Sequence, residues 1–235
     1  TLDLTDYWQR KEGYFERAVR ALGAELKAML PGDGAAMVIG LGNRAMTPDA
    51  VGPLCVESVL ITRHLLAAMP RQFGGFRPVS AFSVGVLGTT GVESAEAVRG
   101  LVKEVEPDFV IAVDALASRR TGRVCATVQL SDSGIVPGSG VGNQRSALNK
   151  ESLGVPVFAV GIPTVVDAAT LAADLLEESG VTEFDEKKLR SRRQPLTVTP
   201  RDIDAQVKEL SRMLGYGVNW ALQELEIEDM AALLG

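Results

Sequence analysis

Two aspartates stand where an α/β protein keeps its chemistry. Asp49 lies in GLGNRAMTPDAVGP, just after the apolar run AAMVIGLG, and Asp114 ends the run DFVIAVD. Each follows a short aliphatic segment of the kind that forms a buried parallel strand. In open α/β sheets the reactive crevice lies beyond the carboxyl ends of such strands. Two carboxylates brought to one rim resist carrying two charges, so the pair holds a proton near neutral pH. One member can then take a proton from water while the other, protonated, polarises a carbonyl. That chemistry is aspartate-dependent hydrolysis of a peptide bond, with Asp49 and Asp114 as the catalytic candidates.

Both residues also have plainer roles available. An aspartate in the first turn of a helix gains roughly 0.3–1 kcal/mol from the helix dipole, which would account for Asp49 alone. An ionised carboxylate at the end of an aliphatic strand is costly unless paired, and Arg119 or Arg120 could neutralise Asp114.

Other chemistries find less to work with. The loop PGSGVGN has Gly138, Gly140 and Gly142 in alternation rather than G-x-G-x-x-G spacing, and DSGIVP separates it from its strand. It reads as a cleft-lining loop with backbone amides available to a carbonyl or oxyanion, and less well as a phosphate site. His64 is the single histidine, and no GxSxG accompanies it. Cys55 and Cys125 lack CxxC spacing, so neither a disulfide framework nor a zinc site is expected. No metal and no cofactor are expected, because one histidine and two scattered cysteines make a poor transition-metal set. Asp167, in TVVDAAT, reads as a first-turn helix residue and a second-rank cleft candidate.

The elements that must carry these residues follow from periodicity. Residues 13–30 show helical spacing and stop at Pro31-Gly32. Strands are expected in AAMVIGLG, RPVSAFSV, DFVIAVD, RVCATVQLS and VPVFAVGIP. Thr47 reads as an N-cap with Pro48 in the first turn of a helix running to about Met69. Further helices are expected in the run ending at Pro107, in TVVDAATLAADLLEESG and over 199–225. Strands alternating with helices imply an α/β fold, a three-layer helix-sheet-helix sandwich with a mainly parallel central sheet. We expect one domain over 1–235, with a mobile charged connection near 180–198.

Composition narrows the partners. The 235 residues are 46% apolar and only 5% aromatic, so aliphatic side chains must fill the core. A net charge of −6 argues against a nucleic-acid surface and leaves steering of basic peptides open. The basic run Lys187, Lys188, Arg190, Arg192 and Arg193 follows Glu183, Asp185 and Glu186, a self-compensating solvated stretch. The amphipathic, charged start TLDLTDYWQRKEGYFERA is unlike a secretory leader, and no apolar run reaches a membrane span. A cytoplasmic protein without membrane contact is the expectation.

Six ordered blocks carry a resemblance: GLGNRAMTPDAVGP, ESVLITRHL, GFRPVSAFSVGVLGTTGVES, PDFVIAVDALASR, QLSDSGIVPGSGVGN and VGIPTVVDAAT. Together they resemble the spore germination protease family, densely over residues 36–176. The final helix, LTVTPRDIDAQVKELSRMLGYGVNWAL, is similar to that family's carboxyl-terminal helix. The resemblance implies an aspartate-type endopeptidase that begins the degradation of small acid-soluble spore proteins at germination. Its two proposed catalytic aspartates fall on the TPDA and VDAL motifs, hence on Asp49 and Asp114. It further implies a self-processed precursor, a homotetramer, location in the spore core and no metal. The implied fold is similar to that of hydrogenase-maturation proteases, whose nickel at a histidine-containing site has no obvious counterpart here. The alternatives carried forward are a nickel-dependent maturation-type endopeptidase, a phosphate- or nucleoside-binding protein, and a non-catalytic binding module.

Overall fold

The computed structural model describes residues 1–138, 145–181, 183–190 and 196–234. The strands are β1 (Leu2–Asp3), β2 (Ala36–Leu41), β3 (Val79–Gly85), β4 (Phe109–Ser118), β5 (Thr127–Ser131), β6 (Val157–Asp167) and β7 (Thr197–Val198). They form one seven-stranded sheet in the order β1-β5-β6-β4-β2-β3, with β7 on β6. The central pairs β3–β2, β2–β4 and β4–β6 are parallel, while β5, β1 and β7 join antiparallel. This is the mainly parallel α/β sandwich that the aliphatic runs predict.

The layers follow from side-chain alternation along the strands. Val38, Ile111, Val113, Val160 and Ile162 pack on one face with Leu22 and Leu26 of the helix Tyr14–Met29. Val207, Leu210, Met213 and Leu214 of the helix Ile203–Gln223 complete that layer. Met37, Ile39, Val110 and Ala112 face the other way, onto Val98 and Val102 of the helix Ser94–Val105. Every residue of β2 is buried, as a strand covered on both faces must be.

Topology then locates the crevice. β2 connects to β3 on one side, and the chain returns to place β4 on the other side of β2. The order therefore reverses between β2 and β4, and ligands of open α/β sheets bind beyond the strand ends at such a point. The short helix Val51–Val56 docks across these two ends with no side chain between. A Cβ on Gly52 would lie 2.3 Å from the Leu41 carbonyl oxygen and 2.4 Å from that of Val113. Gly40 meets the Gly52 carbonyl equally closely. Gly52→Ala, ordinarily favourable in a helix, is therefore expected to destabilise by about 3 kcal/mol, because only backbone could move. Urea denaturation checks this.

The segment after Asp49 departs from expectation. A 3-10 turn, Thr47–Asp49, precedes the helix Val51–Val56, and separate helices Arg63–Ala68 and Pro70–Phe73 replace the single run to Met69. Met46, not Thr47, precedes the 3-10 turn, and no side chain caps it. The break is held by long-range bonds. Asn219 accepts from the Leu60 N–H and donates to the Ser58 carbonyl (both 2.8 Å), and Thr62 Oγ1 accepts from the Val79 N–H (2.9 Å). β4 and β6 also run further than expected, through ALAS and TVVD, because they pair with each other past the rim. Within 180–198 lie a short helix, Glu186–Arg190, and β7; residues 191–195, including Arg192 and Arg193, fall outside the described residues.

Candidate active site

Asp114 continues the β4 alternation on the parity of Val110 and Ala112, but where that face runs out of helix. It is level with Gly161 of β6, and only 4% exposed. Its Oδ1 accepts the Ala115 N–H (2.9 Å). Neither arginine that the sequence offers pairs with it. Arg120 is bound to Asp174 (3.2 Å) and Glu177 (2.8 Å), and Arg119 has no ion pair among the described residues. Burial first, then the charge of Asp49, push the Asp114 carboxyl up to about 7; the Ala115 N–H and Arg145 oppose this.

Asp49 reaches the same place from the turn after β2. Gly42 (φ +108°) starts that turn, and a Cβ there would lie 2.1 Å from the Asp49 carbonyl oxygen, so the chain closes on itself only with glycine. The Asn43 N–H donates to Asp49 Oδ2 (2.8 Å), while Asn43 Oδ1 accepts from the Ala45 N–H (3.0 Å). Burial raises the half-buried Asp49 carboxyl above its usual range, and the Asn43 bond and Arg145 pull against that rise. Asp114, far from Asp49 in sequence, thus feels its charge across one space.

That space is a cavity of about 860 Å³. Asp49 and Asp114 line it with Asn43, Thr164, Arg119 and Arg145, and Ile135 to Gly138 form one side. Thr164 is the extra residue where the β4–β6 register slips, since Leu116 pairs with Pro163 and Ala117 with Val165. A bulge of this kind re-aims a side chain, here letting Thr164 Oγ1 donate to the Pro48 carbonyl (2.7 Å) and steady the Asp49 turn. Thr199 Oγ1 in turn donates to the Thr164 carbonyl (2.8 Å).

The remaining sequence candidates divide cleanly. Gly138 (φ +69°) lines the cavity, whereas Gly140 and Gly142 lie outside the described residues. Asp167 caps the helix Ala168–Glu178 by accepting the Ala169 N–H (2.8 Å), and does not line the cavity. His64 is exposed on the helix Arg63–Ala68, away from the cavity. Cys55 and Cys125 are free and buried, with burial the chief cause pushing each thiol to about 12. Among the described residues no three His, Cys, Asp or Glu side chains gather as a metal set would, and no helix is long and apolar enough to cross a membrane. Sequence reading missed Arg145, Thr164 and Thr199. The arginine stands two residues past the glycine-rich loop PGSGVGN, a position that could have marked it, but nothing local marks a threonine at a bulge.

The fold and site define a class: a three-layer α/β protein with two carboxyls in one cleft at the switch point of its sheet. Residues 8–191 match the model of the germination protease family. The chain is 39% identical over 262 aligned positions to a germination protease of Clostridium perfringens, covering all of this chain and 81% of that protein. It is 50% identical over 192 positions to the one of Halalkalibacterium halodurans, covering 81% of this chain and half of that protein. The chain belongs to the germination protease family. Among solved structures, a nickel–iron hydrogenase maturation protease of Thermococcus kodakarensis is similar over 83% of this chain and 98% of its own, at 17% identity and a TM-score of 0.44.

Proposed function

We propose that this protein is an aspartate-type endopeptidase that cleaves small acid-soluble spore proteins, with Asp49 and Asp114 sharing one proton. The observation that carries the reading is Asp114: a carboxyl almost wholly buried within β4, in no ion pair among the described residues, in a cavity shared with a second carboxyl. A structural aspartate so placed would have been matched with a cation or replaced by an apolar residue.

The environments of the two carboxyls support distinct roles. Asp114, the more deeply buried, keeps the proton and polarises the scissile carbonyl. Asp49, whose charge the Asn43 N–H supports, is the base. Asp49 takes a proton from water as the water oxygen bonds to the carbonyl carbon, and Asp114 passes its proton to the carbonyl oxygen. Asp49 then gives its proton to the departing amine nitrogen as the C–N bond breaks, and Asp114 recovers one from the collapsing adduct. Each proton returns to its starting carboxyl, so the pair is ready for another turnover. The family's homotetramer, self-processed precursor and spore-core location go with this reading.

The test is a pH profile of kcat/KM for the purified chain on a spore protein. Activity is expected to fall as pH rises through about 7, where Asp114 loses its proton, and to fall again in acid as Asp49 gains one. A profile flat from pH 6 to 8 contradicts the assignment.

A further inference from the structure

Arg145 lines the cavity of the two aspartates, yet no hydrogen bond or ion pair engages it among the described residues. An unpartnered guanidinium beside a buried carboxyl pair calls for an account, since arginine forks ordinarily find a carboxylate when one is near. The charged groups around the cavity among the described residues are Asp49, Asp114, Arg119 and Arg145. Arg119 is exposed just beyond the end of β4, and neither aspartate feels it appreciably; both feel Arg145. Arg145 is half-buried and lines the cavity together with Ile135 to Gly138.

We propose that Arg145 is a positioning residue for the aspartate pair, a cation held over the cleft without contact so that it balances the one negative charge the working pair carries. A direct ion pair would tie up the carboxylate that must accept the proton from water. A cation further away would compensate the pair's charge less, and both carboxyls would hold their protons to higher pH. Arg145 acts through the carboxyls, not on the peptide. The inference rests on Asp49 and Asp114 being the reacting groups.

The test uses the full chain with Arg145→Gln and Arg145→Lys, read in two ways. In R145Q both limbs of the kcat/KM profile are expected to move to higher pH. At pH 6 kcat should fall on the order of tenfold, with KM within about twofold, because the pair is then too often doubly protonated. In a carbon-13 NMR titration of the aspartate carboxyls, assigned against Asp114→Asn, the Asp114 midpoint should rise above its position near 7. R145K should restore both. The inference is overturned if R145Q leaves the limbs and the midpoint unmoved, or if it changes KM alone, which would make Arg145 a substrate contact. Activity surviving in Asp49→Asn and Asp114→Asn would instead remove the catalytic reading while leaving the NMR shift intact, so the two failures are separable.

Discussion

Replacing either carboxyl by its amide is expected to abolish peptide hydrolysis. Asp49→Asn and Asp114→Asn keep the shape of the site, since Asn43 N–H and Ala115 N–H can each still bond an amide oxygen. What they remove is the proton traffic. A single positioned acid or base typically contributes 10²–10⁴-fold, and in the proposed mechanism each carboxyl serves in both halves of the reaction. A loss of at least ~10³-fold in kcat is expected from either change. The double variant should be scarcely worse than the more damaged single one, because groups that act as a unit are not additive. Cleavage of a purified spore protein, with circular dichroism to check folding, reads the outcome. Full activity in either variant would overturn the assignment.

The second large effect concerns stability. The Asp114 carboxyl ionises near 7 when folded and at its ordinary value of 3.8 when the chain is open. The folded state therefore binds the proton more tightly. Stability from this group is fully present below about pH 4, declines as pH rises, and is lost above about 7. Asp114→Asn does not titrate and escapes that decline. Between pH 4 and pH 8 the variant should gain on the parent by about 2–4 kcal/mol, measured by urea denaturation at the two pH values. The gain would go together with the loss of hydrolysis, the trade expected where a site holds a strained group for function. An unchanged difference between the two pH values would mean that Asp114 is already solvated.

The sheet was legible because its central strands are uninterrupted aliphatic runs, and Asp114 stood out as the polar break in one of them. Asp49 was legible from Gly42 and the TPD turn that follows. Less could be read where distant residues decide. VLIT (59–62) continues an apolar helical spacing, yet the helix stops because Asn219, 159 residues beyond Leu60, holds the backbone there. TVVD seemed to open a helix, but its β-branched residues extend β6 through pairing with β4. Thr164 gains meaning only from a register slip, which leaves no mark at the level of single residues, and Arg145 had only its place near the glycine-rich loop to signal it.

The contact of Gly40 with Gly52 has a consequence for adaptability. Behind the turn that carries Asp49, backbone is seated on backbone, with no intervening side chain to change rotamer or be trimmed by substitution. Exploration of new sequence preferences then falls on the cavity lining itself, around Ile135 to Gly138. A lineage could retune that lining repeatedly while the seated helix anchors the ends of β2 and β4, keeping the two acids in register through every revision.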